Sequence, residues 1–249
     1  MMTHYFPTHA PADLRLAYLD LLKRSLMGWP YAKLGYKVTA DERLEGKDWP
    51  DEAMTLLSLS RLDNIQYCME MCLQENIPGH FMECGVWRGG ACILMAGILH
   101  AYGITDREVH LADSFMGVPK SMNGKDENET FHNYSYLSCS SYQVKINFDR
   151  YGLLKQYVQF TPGMFATTLR YFDRPLAVLR IDGDLYSSTM DCLKNLYHRI
   201  SPGGYVIIDD YVNFPHVRDA VNDFRAANSI SEEIAGVDWS AVYWRKNAA

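Results

Sequence analysis

Beyond Ile77-Pro78-Gly79 the chain repeats one unit, a short apolar run followed by a stretch of helical periodicity, and that repeat admits few folds. Phe81-Met82-Glu83-Cys84-Gly85 predicts a first strand. Residues 89–102 predict a helix with Ala91, Met95, Ile98 and Tyr102 turned inward and Gly103 placed to end it. Val109-His110-Leu111-Ala112 is a second strand and Tyr157-Val158-Gln159-Phe160 a third; residues 176–181 form a fourth, apolar enough to be buried on both faces. Ser188 and Asp191 read as a capping pair opening a helix over 188–199, and Ser201-Pro202-Gly203-Gly204 turns the chain into a strand at 205–208. A helix near 215–228 precedes strands around 233–237 and 241–245, whose short connection at 238–240 makes them antiparallel. The alternation predicts a Rossmann-like α/β domain, with a mostly parallel seven-stranded sheet, right-handed crossovers and an antiparallel last strand.

The 249 residues suit one such domain with decoration. Leu14, Tyr18, Leu21, Leu22 and Ser25 repeat at helical spacing over 12–27, before Gly28-Trp29-Pro30. Gly35, Gly46 and Pro50 punctuate the mixed stretch that follows, and a second helix over 60–76 carries Leu62, Ile65, Cys68, Met69, Cys72 and Leu73. Residues 1–60 are therefore expected to be a helical lid or appendage, and 61–249 the core domain. The amphipathic helix at 12–27 needs a surface to cover, so a homo-oligomer is expected.

Net charge is −6 and evenly spread, with no basic tract interleaved with aromatics, so nucleic acid is not an expected partner. Asp13, Arg15, Asp20, Lys23 and Arg24 interrupt the first apolar stretch, which excludes a normal signal peptide or membrane span and leaves the cytoplasm as the default address. The six cysteines contain no CxxC pair, so they read as buried apolar groups rather than zinc ligands. The polar stretch from Lys120 to Asn133 is the best candidate for a mobile loop.

Ligands of an open α/β sheet bind beyond the carboxyl ends of its strands, and four ends here carry acids: Glu83, Asp113, Asp182 with Asp184, and Asp209 with Asp210. In Glu83-Cys84-Gly85-Val86-Trp87-Arg88-Gly89-Gly90, Gly85 and Gly89 let the backbone approach a ligand ahead of a helix N-terminus, although a Gly-rich turn alone is a weak signal. Asp113, in Ala112-Asp113-Ser114-Phe115, lies at the separation expected of a carboxylate gripping a ribose diol. The chain has no GKS or GKT phosphate loop, so a ribose without phosphates, as in S-adenosylmethionine (SAM), suits it better than a nucleoside triphosphate. Asp182, Asp209 and Asp210 can converge from neighbouring strands on a hard divalent cation, magnesium first and manganese as a substitute. Helix caps or partners of a lysine are the plainer alternative, but unpaired acids this close repel one another.

Six blocks carry a resemblance. They are Glu-x-Gly-Val-Trp-Arg-Gly-Gly at 83–90, Ala-Asp-Ser-Phe at 112–115, Asn-Phe-x-Arg-Tyr-Gly-Leu-Leu at 147–154, Asp-Gly-Asp-Leu-Tyr at 182–186, Ser-Pro-Gly-Gly-Tyr-Val-Ile-x-Asp-Asp-Tyr at 201–211 and Val-Tyr-Trp-Arg at 242–245. Together they resemble the macrocin O-methyltransferase family, which methylates sugar hydroxyls of macrolide and aminocoumarin antibiotics. The resemblance implies a class I SAM-dependent methyltransferase fold, with SAM and magnesium as cofactors and a glycosylated small molecule as acceptor. It implies Asp182, Asp209 and Asp210 as metal ligands and Asp184 as the general base. The donor-binding set is Glu83, Cys84, Gly85, Val86, Gly89, Asp113, Ser114, Phe115, Gly163 and Asp182, with Cys84 where threonine is more usual.

The chemistry then needs alignment of an activated methyl group with a hydroxyl and transfer of one proton. An unperturbed aspartate, with a pKa near ~4, cannot deprotonate a free alcohol unaided, so cation acidification is expected to do much of the work. Asp184 is either the base or a second partner holding Asp182 or a water on the metal; His132 and His216 are alternative bases, and Tyr186, Tyr211 and Phe115 are candidate pocket walls. A catechol or phenol methyltransferase is the competing enzyme, but Asp184-Leu185-Tyr186 lacks the lysine common near the metal in that class. A SAM-binding protein without catalysis is the competing non-enzyme.

Overall fold

The computed structural model describes residues 12–32 and 38–247; Gly35 and the first eleven residues of the expected appendage lie outside them. The helices are α1 (Ala12–Leu26), α2 (Ala40–Leu44), α3 (Leu59–Gln74), α4 (Gly90–Tyr102), α5 (Ser141–Arg150), α6 (Phe165–Thr168), α7 (Tyr186–Leu196) and α8 (Pro215–Ala227). The strands are β1 (His80–Cys84), β2 (Val109–Asp113), β3 (Val158–Pro162), β4 (Leu176–Ile181), β5 (Ile200–Ile208), β6 (Ala235–Gly236) and β7 (Val242–Arg245). They form one seven-stranded sheet in the order β3-β2-β1-β4-β5-β7-β6, parallel from β3 to β5, with β7 antiparallel to both neighbours. The Rossmann-like expectation, including the closing antiparallel strand, holds.

Alternation along each strand splits the interior into two cores. Phe81, Val109, Leu111, Val178 and Ile207 face α1, α3, α4 and α5, while Met82, Cys84, Leu179, Ile181 and Val206 face α7 and α8. α4 lies so deep that ten of its residues are buried, which explains its nearly continuous apolar sequence. α1 packs on α4 at Gly97, where an added Cβ would stand 2.3 Å from Leu22 Cδ2; the mid-helix glycine is there for close approach. At the amino end of the sheet, His80, Glu108 and His110 cluster. They close on themselves: His80 Nδ1 accepts the Glu108 N–H, and Glu108 pairs with His110 and Arg174.

Three local expectations change. α7 opens at Tyr186, two residues before the expected Ser188, and Ser188 is a buried helical residue rather than its cap. β5 starts at Ile200 and runs straight through Ser201-Pro202-Gly203-Gly204, absorbing the expected turn as a register shift against β4. The stretch expected to be a mobile loop is tied down through Asp126, which is 3% exposed and bonded to α7. All of these depend on partners far away in sequence.

Candidate active site

The parallel ladder carries the four acidic strand ends to one edge of the sheet, around a single cavity of about 520 Å³. Of the residues expected to hold the methyl donor, Glu83, Gly85, Val86, Asp113, Ser114, Gly163 and Asp182 line it. Cys84 does not: its side chain sits in the α7/α8 core. Gly89 forms the left-handed cap of α4 against Val144 and Phe148, and Phe115 turns its ring onto Phe160.

Gly85 is dictated by space. Its N–H donates to Ala112 O at 2.9 Å, φ is +91°, and a Cβ there would stand 1.7 Å from the Asp182 carbonyl oxygen, a backbone atom that cannot yield. Gly85→Ala is expected to destabilise the fold by about 3 kcal/mol and to abolish S-adenosylhomocysteine binding in calorimetry. Parental melting and binding in the Gly85→Ala variant would refute this.

Asp113 joins the first two strand ends. One of its oxygens accepts Val86 N–H at 2.6 Å and Trp87 N–H at 3.4 Å; the other accepts Phe115 N–H at 2.7 Å. Burial raises its pKa against those backbone donors. Gly163 N–H donates to Asp113 O at 2.8 Å, bringing the end of β3 to the same place. In the sheet order, Asp113 and Gly163 lie on the β2/β3 side of the cavity and Asp184 and Asp210 on the β4/β5 side.

The acids on the β4/β5 side fall into two environments. Asp209 is 4% exposed, and its oxygens go to separate guanidiniums: Arg61 Nη1 at 2.8 Å, and Arg180 Nη2. Burial would raise its pKa, but Arg61 and Arg180 prevail and lower it. Arg180, 1% exposed one residue before the carboxyl end of β4, also donates to Glu83 and, at 3.0 Å, to Asp182. Burial still raises Glu83 to about 7 and Asp182 to about 6 against that partner. By contrast, Asp182, Asp184 and Asp210 bring oxygens within 4.8 Å of one another, and Asp209 is not part of that group. Burial and then the neighbouring carboxylates push Asp184 and Asp210 well above the ordinary aspartate range. Three crowded carboxylates with too few cations match the donor chemistry of a hard divalent ion.

Backbone strain marks the same edge. Six non-glycine residues among those described have positive φ, and four of them, Trp87, Phe115, Asp184 and Asp210, follow the ends of β1, β2, β4 and β5. Each costs of order 1–3 kcal/mol, and such residues cluster where a site over-determines the backbone.

Sequence reasoning missed the arginines. Arg61 reaches from α3 to Asp209 and to Asp238 in the β6–β7 turn, while Trp239 of that turn donates to Glu45 O. A lone arginine inside the apolar run 176–181 was the available signal for Arg180. Gly46, Trp49 and residues 54–57 also line the cavity, with Met54 O accepting Gly90 N–H at the start of α4. His216 contacts the Asp184 carbonyl oxygen (Nε2···O 2.8 Å), His132 is exposed, and Tyr186 and Tyr211 turn their hydroxyls to Asp223 and Asn222.

Comparison with known proteins gives the family. The family model described as Macrocin-O-methyltransferase (TylF) matches residues 20–246. The 8-demethyl-8-(2,3-dimethoxy-alpha-L-rhamnosyl)-tetracenomycin-C 4'-O-methyltransferase of Streptomyces olivaceus is 45% identical over 95% of both chains. The mycinamicin III 3''-O-methyltransferase of Micromonospora griseorubida is 44% identical over 93% of this chain and 96% of its own. The solved structure of the O-methyltransferase NovP superposes with a TM-score of 0.89 at 44% identity, covering 94% of this chain and 99% of that one. The fold is that of the class I SAM-dependent methyltransferases. Matched along nearly its whole length, the chain is an O-methyltransferase and belongs to the macrocin O-methyltransferase family.

Proposed function

We propose that the enzyme methylates a sugar hydroxyl on an antibiotic-type natural product, using SAM and a divalent cation, magnesium first and manganese as a substitute. The observation that carries this reading is the convergence of Asp182, Asp184 and Asp210 in the cavity whose β2/β3 side presents Asp113 and Gly163, with Gly85 between the two sides. The rhamnosyl acceptor in the name of the Streptomyces olivaceus relative supports the sugar.

Bound SAM supplies a methyl group already activated on a sulfonium. Gly85, Val86, Asp113, Ser114 and Gly163 are assigned to hold it, with Glu83 and Asp182 beside them. Asp182, Asp209 and Asp210 are assigned to the cation, whose charge acidifies a neighbouring hydroxyl. Asp209 Oδ1 accepts from both Arg61 and the Asp210 N–H, whereas Oδ2 accepts from Arg180 alone and keeps a second lone pair, so Oδ2 is the oxygen assigned to the cation. Asp184, raised by burial and by Asp182 and Asp210, is a better proton acceptor than an ordinary aspartate, and is assigned to take the hydroxyl proton.

Residues 1–60 are assigned as the appendage that shapes the acceptor end, since Gly46, Trp49 and residues 54–57 already form wall there. Leu16 and Leu21 of α1 are more than half exposed, which supports assembly of copies through that helix. No helix among the described residues is long and apolar enough to cross a membrane. The cytoplasm is the assigned compartment, where the free cysteines stay reduced.

The test is methyl transfer from labelled SAM to a panel of glycosylated natural products and phenols, with magnesium or with EDTA. Turnover is expected on glycosylated acceptors, falling by about a hundredfold or more in EDTA and returning with magnesium. Full activity in EDTA rejects the cation, transfer to phenols alone rejects the sugar, and SAM binding without product under any divalent cation rejects catalysis on these acceptors.

A further inference from the structure

We propose that Asp126 is a positioning residue, which caps α7 from a distant loop and thereby keeps the Asp184 carboxylate free to face the cavity. α7 begins two residues after Asp184, and its own N-cap, Leu185, has no side chain able to accept. Asp126, sixty residues upstream, fills that place. One oxygen accepts Tyr186 N–H at 2.6 Å; the other accepts Ser187 N–H at 3.2 Å and the Ser187 and Ser121 hydroxyls at 2.7 Å each.

These donors matter because of who else wants them. Asp184 stands two residues before Tyr186, the separation at which an aspartate closes an Asx turn on a backbone N–H. With Asp126 in place that N–H is taken, and no described residue hydrogen-bonds the Asp184 carboxylate, which lines the cavity instead. The same loop fixes Asp184 from its other side. Glu129 lies 3.5 Å from His216 Nδ1, and His216 Nε2 lies 2.8 Å from the Asp184 carbonyl oxygen, on a backbone held at φ +58°. Phe131 packs on Phe214 beside them. Loop and helix ends therefore set where the Asp184 side chain begins and remove the local partner that would draw it aside.

The inference rests on the reading of Asp184 as part of the reacting site. The experiment is to solve crystal structures of Asp126→Ala and Asp126→Asn. SAM affinity is measured by calorimetry, and turnover with a rhamnosyl tetracenomycin as the probe acceptor. In Asp126→Ala the Asp184 carboxylate is expected to move onto Tyr186 N–H. Turnover should fall about a hundredfold, as a displacement near 1 Å at a reacting group can cause, while SAM affinity stays within about twofold. Asp126→Asn keeps one carbonyl acceptor and should hold Asp184 in the cavity with most of the turnover. An Asp184 carboxylate unmoved in Asp126→Ala overturns the proposal, as does an Asn variant that fares no better than Ala. An Asp184→Asn control separates the two readings. If that variant turns over normally while Asp126→Ala still moves the carboxylate, the catalytic assignment fails and the positioning stands.

Discussion

Asp184→Asn is expected to lower turnover about a thousandfold, within the range that positioned proton transfer contributes, while leaving SAM affinity within about twofold. The amide keeps the shape of the side chain and removes its capacity to take a proton. It also removes one of three crowded charges, so the variant should be more stable than its parent at neutral pH by about 1 kcal/mol, the trade expected where function maintains repulsion. The sign follows from linkage. Burial and then Asp182 and Asp210 raise Asp184 in the folded state, so the folded protein binds that proton more tightly than the unfolded chain. The parent therefore loses stability as pH climbs from the unfolded value near ~4 through the raised folded one, and the Asp184→Asn variant escapes that loss. Denaturant titrations across pH 4 to 8 check it; a variant of parental turnover, or one less stable at pH 7, would contradict the assignment.

Arg180→Met is expected to be among the most damaging substitutions. The Arg180 guanidinium lies inside the sheet and donates to Glu83, Asp182 and Asp209 together. Deleting the cation takes from Glu83 and Asp182 their ion-pair partner and leaves Asp209 with Arg61 alone; removing one member of a buried ion network costs about 3–5 kcal/mol, which for a chain of this size lowers melting by about 10 °C. Arg180→Lys should fall between, since an ammonium is a single point where the planar fork reaches three carboxylates. Adding Glu83→Gln to Arg180→Met should return part of the loss, because one unpaired charge goes with it. Calorimetric melting of the four proteins decides the matter; an Arg180→Met variant melting within about 2 °C of the parent would mean that the network contributes little.

The sequence showed most clearly what is local. The apolar run 176–181 became β4 residue for residue, because burial on both faces leaves no polar alternation to blur its ends. Gly103 ended α4 in the left-handed conformation expected of it. Glu83, Asp113, Asp182, Asp184, Asp209 and Asp210 were placed on one edge by topology alone, since parallel strands present their carboxyl ends together. What escaped was held by distant partners. Ser188 looked like a cap because nothing nearby marks Asp126 as the true one. Asp209 looked free because Arg61 approaches it from 148 residues away. Met54 and Trp49 carry no chemical signature, and only the packing of residues 46–57 against the start of α4 makes them wall.

The central claim is a cation between Asp182 and Asp210 on the acceptor side of the methyl donor. Anomalous diffraction from crystals grown with manganese and S-adenosylhomocysteine tests it most directly. The account predicts one strong peak about 2.1 Å from a carboxylate oxygen of each of Asp182, Asp209 and Asp210, with Asp184 beside it and uncoordinated. No peak among these aspartates, or one bound by Asp184 with Asp209 still closed between Arg61 and Arg180, would contradict it.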